Sequence, residues 1–324
     1  GGWVRVDRAG VERVDVALEV RPISDFSWSP DGRGRAYSKI GLDHVSNIYL
    51  YSLAGATAHN ISSSLFNDFG PVFSRDGEHL LFVSNRRFDP TFCDFEWEMV
   101  YKNVAGIYAL TLRVDGDRLL PLRSDEVAAV DDTDDDRKGP PDSEEEVTVR
   151  VDLEGLAERI EALPLPAANY RSLTAGDDAI YFLDGESGDF NRFEYRSLPA
   201  RSLQAFDLED REVRTVVSKV DAYNLAANGR HLVWRRGEKV GVVDDGGSAA
   251  QKRMMMKLAG SGSGHGSKPE TLDLDGLVMN LDPRAEWRPV FNEAWRLERD
   301  FFYDPATPRP AWPAMPDQVA PPRA

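Results

Sequence analysis

One cysteine among 324 residues, Cys93, leaves no partner for an internal disulfide. A reducing cytoplasm is the expected setting, and Cys93 reads as an inert thiol. There is no run of about 18 apolar residues, so no transmembrane helix is expected. The opening Gly1-Gly2-Trp3-Val4-Arg5 has no basic segment followed by an apolar stretch, and no secretory leader is read there. It also has no initiator Met and starts inside a strand-like stretch, so part of a longer polypeptide is expected. Basic residues are the minority: 39 Lys and Arg against 55 Asp and Glu give a net charge of −16. Nucleic acid and anionic membrane surfaces need clustered basic residues, so neither is an expected partner.

Residues for catalysis are also sparse. The five histidines are His44, His59, His79, His231 and His265. None lies in a His-Glu-x-x-His helix or a His/Cys cluster, and no nucleophile elbow or Gly-rich phosphate loop occurs. No residue is therefore assigned to catalysis, to cofactor binding or to a metal, and no cofactor is expected. Asp94, Glu96 and Glu98 alternate with Phe95 and Trp97. On a strand the three acids would share one face, which reads as a solvated face opposite an aromatic one. Met254-Met255-Met256 reads as irregular linker in preference to a partner surface.

What the chain does have is a repeat. Phe26-Ser27-Trp28-Ser29-Pro30-Asp31-Gly32 precedes Ala36-Tyr37-Ser38, and Pro71-Val72-Phe73-Ser74-Arg75-Asp76-Gly77 precedes Leu80-Leu81-Phe82-Val83-Ser84. Weaker copies are Leu225-Ala226-Ala227-Asn228-Gly229 before Leu232-Val233-Trp234, and Ala175-Gly176-Asp177 before Ala179-Ile180-Tyr181-Phe182-Leu183. A short strand ends in Ser or Ala, a Gly supplies the positive φ of a tight turn, and an apolar strand follows. His79 and His231 each fall two residues after the turn Gly, which marks a position in the repeat with a structural role. Short strands recurring with a period of roughly 40–50 residues are the signature of an all-β propeller. About five or six blades are expected between residues 12 and 275, with the propeller occupying residues 1–275. Two stretches break the period: an acidic insertion at 125–146 and a Gly/Ser linker at 246–268.

Past residue 275 the period becomes helical. Phe291, Ala294, Trp295, Phe301 and Phe302 recur on one face. Pro289 suits a first turn, which predicts an amphipathic helix from near Arg288 to about Tyr303 with Trp287 packed just ahead of it. Residues 276–324 are thus expected to open a further domain that is truncated. The Pro-rich tail from Pro305 to Ala324 offers the helix no partner and is expected to be disordered.

Three segments together resemble the tricorn protease family of large cytoplasmic serine peptidases. The first is Phe66-Asn67-Asp68-Phe69-Gly70-Pro71-Val72-Phe73, continuing through Leu81-Phe82-Val83-Ser84-Asn85-Arg86-Arg87-Phe88-Asp89-Pro90. The second is Val151-Asp152-Leu153-Glu154-Gly155-Leu156-Ala157-Glu158-Arg159-Ile160, with Leu163-Pro164-Leu165-Pro166 and Asn169-Tyr170. The third is Glu286-Trp287-Arg288 with Glu293-Ala294-Trp295-Arg296-Leu297-Glu298-Arg299-Asp300-Phe301-Phe302-Tyr303-Asp304-Pro305. The resemblance implies the seven-bladed propeller of such an enzyme, complete or in part, joined to the opening helix of its core. It further implies a substrate passage through the propeller, oligopeptide substrates such as those released by the proteasome, and a hexameric ring. The family's Ser nucleophile and its His lie beyond this helix, so the chain alone is expected to be inactive. One departure stands out: where the family pattern has His-Gly-Val-Asp-Trp, this chain has Pro308-Arg309-Pro310-Ala311-Trp312. The alternatives are a stand-alone propeller that binds protein without chemistry, and the propeller of a prolyl-oligopeptidase-type hydrolase. The aromatic helix argues against both.

Overall fold

A computed structural model describes residues 2–7, 10–16, 23–62, 65–87, 91–92, 99–100, 102–122, 147–185, 201–245 and 270–301. The chain divides into two compact units, Gly1–Leu272 and Asp273–Ala324.

The first unit is built on the repeated turn. Ser29 Oγ donates to Asp31 Oδ1 at 2.6 Å, and that oxygen also accepts from Arg33 N at 3.0 Å. Gly34 N returns to Ser29 Oγ at 2.7 Å. The second copy repeats the pattern: Asp76 Oδ1 accepts from Ser74 Oγ and from Glu78 N, and His79 N donates to Ser74 Oγ. In the third, Asn228 Oδ1 accepts from Arg230 N at 3.0 Å. One short polar side chain thus satisfies the turn's backbone donors. The glycine behind it takes a left-handed φ, +66° at Gly32, +74° at Gly77 and +70° at Gly229. At Gly77 a Cβ would also lie 2.6 Å from Val149 Cγ2 and 3.2 Å from Val147 Cγ1. Gly77→Ala is expected to cost about 1–2 kcal/mol from φ alone, with the valine clash added. Gly32→Ala, with open space around its Cβ, should cost only the φ share. Urea unfolding of the two variants would separate these contributions.

The strands form four four-stranded antiparallel sheets. Blade 1 is β3 (Ser24–Trp28), β4 (Gly34–Ile40), β5 (Ser46–Ser52) and β6 (Thr57–Asn60). Blade 2 is β7 (Asp68–Phe73), β8 (His79–Ser84), β11 (Gly106–Thr111) and β12 (Ile160–Ala162). Blade 3 is β13 (Arg171–Ala175), β14 (Ala179–Gly185), β15 (Arg201–Asp207) and β16 (Val213–Val220). Blade 4 is β17 (Ala222–Leu225), β18 (His231–Arg236), β19 (Lys239–Asp244) and β20 (Glu270–Thr271). Two hairpins complete the described strands, β1 (Gly2–Asp7) with β2 (Gly10–Val16) and β9 (Thr91–Phe92) with β10 (Met99–Val100).

Four blades among the described residues are fewer than the five or six expected. Blade 2 accounts for much of the difference. Its strands β8 and β11 are separated by the small hairpin β9–β10, and its outer strand β12 pairs with β11 only after a long excursion. Residues 68–162 therefore build one blade where the period predicts two. Arg159 holds the end of that excursion, donating to the carbonyls of Thr111, Leu112, Asp152 and Glu154.

The cores lie between blades. Leu80, Phe82, Tyr108 and Leu110 of blade 2 pack with Ala36, Ile48 and Leu50 of blade 1. Their sequence neighbours Leu81, Val83, Ile107 and Ala109 point to the other face and pack with Leu173, Ile180, Phe182 and Phe206 of blade 3. Tyr181, Leu183, Leu203 and Ala205 then meet Leu232, Trp234 and Val243 of blade 4. The period-2 alternation of a strand sends successive side chains into two different cores, so β8 and β11 are buried at every position.

In the second unit, helix α1 spans Pro283–Phe301 and starts five residues before the expected Arg288. Asp282 is its N-cap: Oδ1 accepts from Arg284 N at 3.0 Å, and Pro283 fills the first helical position, where no N–H is needed. Pro289 lies inside the helix instead of opening it. Trp287 is consequently on the helix, not ahead of it, and is exposed, as are Val290 and Leu297. Phe302 and the tail from 303 to 324 lie outside the described residues.

Candidate functional site

The first strands of consecutive blades adjoin, β7 touching both β3 and β13, as strands nearest a propeller axis do. β3 presents two large aromatics to solvent there, Phe26 at 56% exposure and Trp28 at 48%. The Arg35 guanidinium of β4 lies 3.9 Å from the Trp28 ring centroid and 5.5 Å from that of Phe26. Asp25, beside them at a left-handed φ of +47°, accepts from Ser38 Oγ at 3.3 Å. An exposed aromatic pair backed by a cation is a surface suited to the backbone and side chains of an extended peptide.

A cavity of about 410 Å³ lies at the junction of blades 1 and 2, with Asp31, Tyr51, His59, Phe73 and Val151 on its walls. Partial burial opposes ionisation of Asp31. Hydrogen bonds from Ser29 Oγ, Arg33 N and Val149 N, with the Arg33 charge, outweigh it and hold the carboxyl below its ordinary value. The Thr57 hydroxyl is 3.2 Å from His59 Nε2, on exposed edge strand β6.

In the described part of the long motif, residues 66–87, the charged pair has a structural role. Asp68 is fully buried, and both of its carboxylate oxygens accept from Arg86 Nη2, at 3.1 and 3.0 Å. Arg86 Nε donates to Ser84 Oγ at 2.7 Å, and the guanidinium faces the rings of Phe66, Phe82 and Tyr108. A second inward pair joins Arg214 to Asp245. Tyr170, buried between blades 2 and 3, donates its hydroxyl to Pro166 O at 2.6 Å. Burial, aided by the Asp184 charge, pushes its pKa up to about 12. The unfolded tyrosine ionises near 10. The folded state alone thus keeps its proton between those values, and the contribution of Tyr170 is full below pH 10 and lost as pH rises towards 12. Tyr170→Phe is expected to flatten the fall in unfolding free energy between pH 10 and 12, read by urea unfolding across that range.

Of the histidines, His44 sits in a turn at φ +64°. His79 and His231 open β8 and β18, the equivalent places expected of them, and His79 is buried. His265, Cys93, Asp94, Glu96, Glu98 and Met254 to Met256 lie outside the described residues, as do the stretches 125–146 and 246–268. The Arg35-backed pair on β3 was not singled out from the sequence, although Phe26 and Trp28 flank Ser27 with the period of one strand face.

Four-stranded antiparallel blades whose first strands adjoin place the chain in the β-propeller class. Residues 4–246 match the family model of the tricorn protease second beta propeller domain, and residues 283–321 match that of the tricorn protease C1 domain. The chain belongs to the tricorn protease family. It is 27% identical over 291 residues to tricorn protease homolog 1 of Streptomyces coelicolor, covering 86% of this chain and 25% of that one. It is 24% identical over 312 residues to the tricorn protease of Thermoplasma volcanium, covering 93% and 26%. The crystal structure of the tricorn protease shares its fold with a TM-score of 0.68 at 18% identity, over 93% of this chain and 27% of that one. The chain thus spans about a quarter of the length of these relatives. Among the described residues no helix is long and apolar enough to cross a membrane.

Proposed function

We propose that this chain is the substrate-gating propeller of a tricorn-like serine peptidase, with the nucleophile and its base held elsewhere in the polypeptide. The substrates are oligopeptides of the kind that the proteasome releases. The observation that carries the reading is order: a second-propeller match is followed by a C1 match in one chain. A seven-bladed ring, a hexameric assembly and a cytoplasmic location belong to the same reading. The stand-alone binding module leaves the C1 match without a role.

In this reading Phe26 and Trp28 form part of the passage wall, and the net charge of −16 favours peptides that carry basic groups. The test is the full-length enzyme carrying Trp28→Ala, assayed on long peptides and on a small chromogenic substrate. Truncating one aromatic contact costs about 1 kcal/mol, so KM for long peptides should rise roughly fivefold while the small substrate is unaffected. Equal effects on both would remove the gating role. The chain by itself should hydrolyse neither, and measurable hydrolysis by it would overturn the placement of the catalytic residues elsewhere.

A further inference from the structure

We propose that Asp76, Glu78 and His79, at the turn between β7 and β8, bind one divalent cation of the zinc and cobalt class. The proposal is independent of the gating role. Each of the three residues offers a ligand atom, and the three atoms lie within 4.8 Å of one another. Asp76 and Glu78 are exposed, whereas His79 is 4% exposed.

The hydrogen-bond geometry around the imidazole points to a metal. His79 Nε2 lies 3.0 Å from the carbonyl oxygen of Asp117. A carbonyl only accepts, so Nε2 holds the hydrogen, and in the neutral ring Nδ1 holds the lone pair. That Nδ1 is buried and has no hydrogen-bond partner among the described residues. A buried acceptor without a donor is unfavourable by about as much as a lost hydrogen bond. Asp76 does not relieve it. Its Oδ1 is committed to Ser74 Oγ and Glu78 N, which fixes the carboxylate, and an ionised carboxylate has no hydrogen to give.

Blade 4 shows what the same turn does when its chemistry is complete. There the equivalent residues are Asn228, Arg230 and His231. Asn228 Nδ2 lies 3.0 Å from His231 Nδ1 and supplies the missing donor. Blade 2 replaces that amide with a carboxylate, and the neighbouring Arg230 with Glu78. The result is a histidine with a bare ring nitrogen in a group whose two carboxylates each bring an oxygen within 4.8 Å of the ring's ligand atom. The nearby Arg113 is already engaged by Asp115, through bonds of 2.9 and 2.6 Å. A cation satisfies all three groups together.

The donor set selects the cation. One imidazole nitrogen with two carboxylates suits zinc, cobalt or nickel, while calcium and magnesium prefer oxygen alone. The Nε2–H bond to a backbone carbonyl is the outer contact that orients a metal-bound histidine. Exposure of the two acids leaves room for water to complete the coordination.

The test is Co2+ titration of the full, chelator-stripped chain, followed by visible absorption, with Zn2+ and Ca2+ as competitors. The expected result is one saturable equivalent, displaced by Zn2+ and not by Ca2+. Asp76→Asn copies the turn of blade 4 and supplies the missing donor, so its unfolding midpoint in chelator should equal or exceed that of the wild type while Co2+ affinity falls by about tenfold or more. Glu78→Gln, at an exposed position, should weaken binding as well and serves if the first variant does not fold. Absence of saturable Co2+ binding, unchanged affinity in the variants, or equal displacement by Ca2+ would overturn the proposal.

Discussion

Asp68→Ala is expected to lower the unfolding free energy by about 3–5 kcal/mol, because it leaves the Arg86 guanidinium charged and unpaired inside blade 2. The Asp68 side chain is 0% exposed and that of Arg86 18%, so solvent relieves little of the penalty. Three aromatic rings and Ser84 Oγ still hold the guanidinium in place, which keeps the chain from swinging it into water. The paired variant Asp68→Ala/Arg86→Met removes the charge along with its partner and should recover most of the loss, because apolar replacements of a buried pair are often neutral. Urea unfolding of the wild type, the single variant and the pair decides the matter. A single-variant loss within 1 kcal/mol of zero would show that the pair is not what holds β7 to β8.

The second large effect is expected at Phe182. Its ring is 0% exposed in the core between blades 2 and 3 and meets the Tyr170 ring edge-on, with centroids 5.1 Å apart and planes at 85°. Phe182→Ala removes that contact and leaves a void among Leu173, Ile180 and Phe206, at a cost of about 3–5 kcal/mol. Phe182→Leu keeps most of the volume and should cost about 1.5 kcal/mol or less. Calorimetric unfolding of the two variants tests this. A small loss in Phe182→Ala would mean that the two sheets close over the gap.

Much of this architecture could be read from residue order. The Ser-x-Asp-Gly turn announces itself because it needs a short polar acceptor, a left-handed glycine and an apolar strand in fixed succession. The apolar strand at Leu80 to Val83 is equally plain. Blade number is not. Nothing in residues 85–162 says that a hairpin and an excursion are inserted into one blade, because β12 finds β11 by pairing at a distance and not by local pattern. The helix starts earlier than expected for a different reason. Pro289 suits a first turn, while the stronger signal, Asp282 followed by Pro283, supplies both a cap and a first-turn proline. The cation site was hidden in a repeat position. His79 and His231 look alike in sequence, and only the hydrogen bonds separate a satisfied ring from an unsatisfied one.

Cores that lie between blades also govern how order is lost. Blades 2 and 3 each contribute to two seams, while β20 is attached to its blade by two residue pairs, Gly241↔Thr271 and Val242↔Glu270. Amide exchange should therefore be slowest in β8, β11 and β14 and fastest at β20. When heat or denaturant parts one seam, the sheets on either side keep their own ladders, so the propeller comes undone like a stack of cards separated in turn.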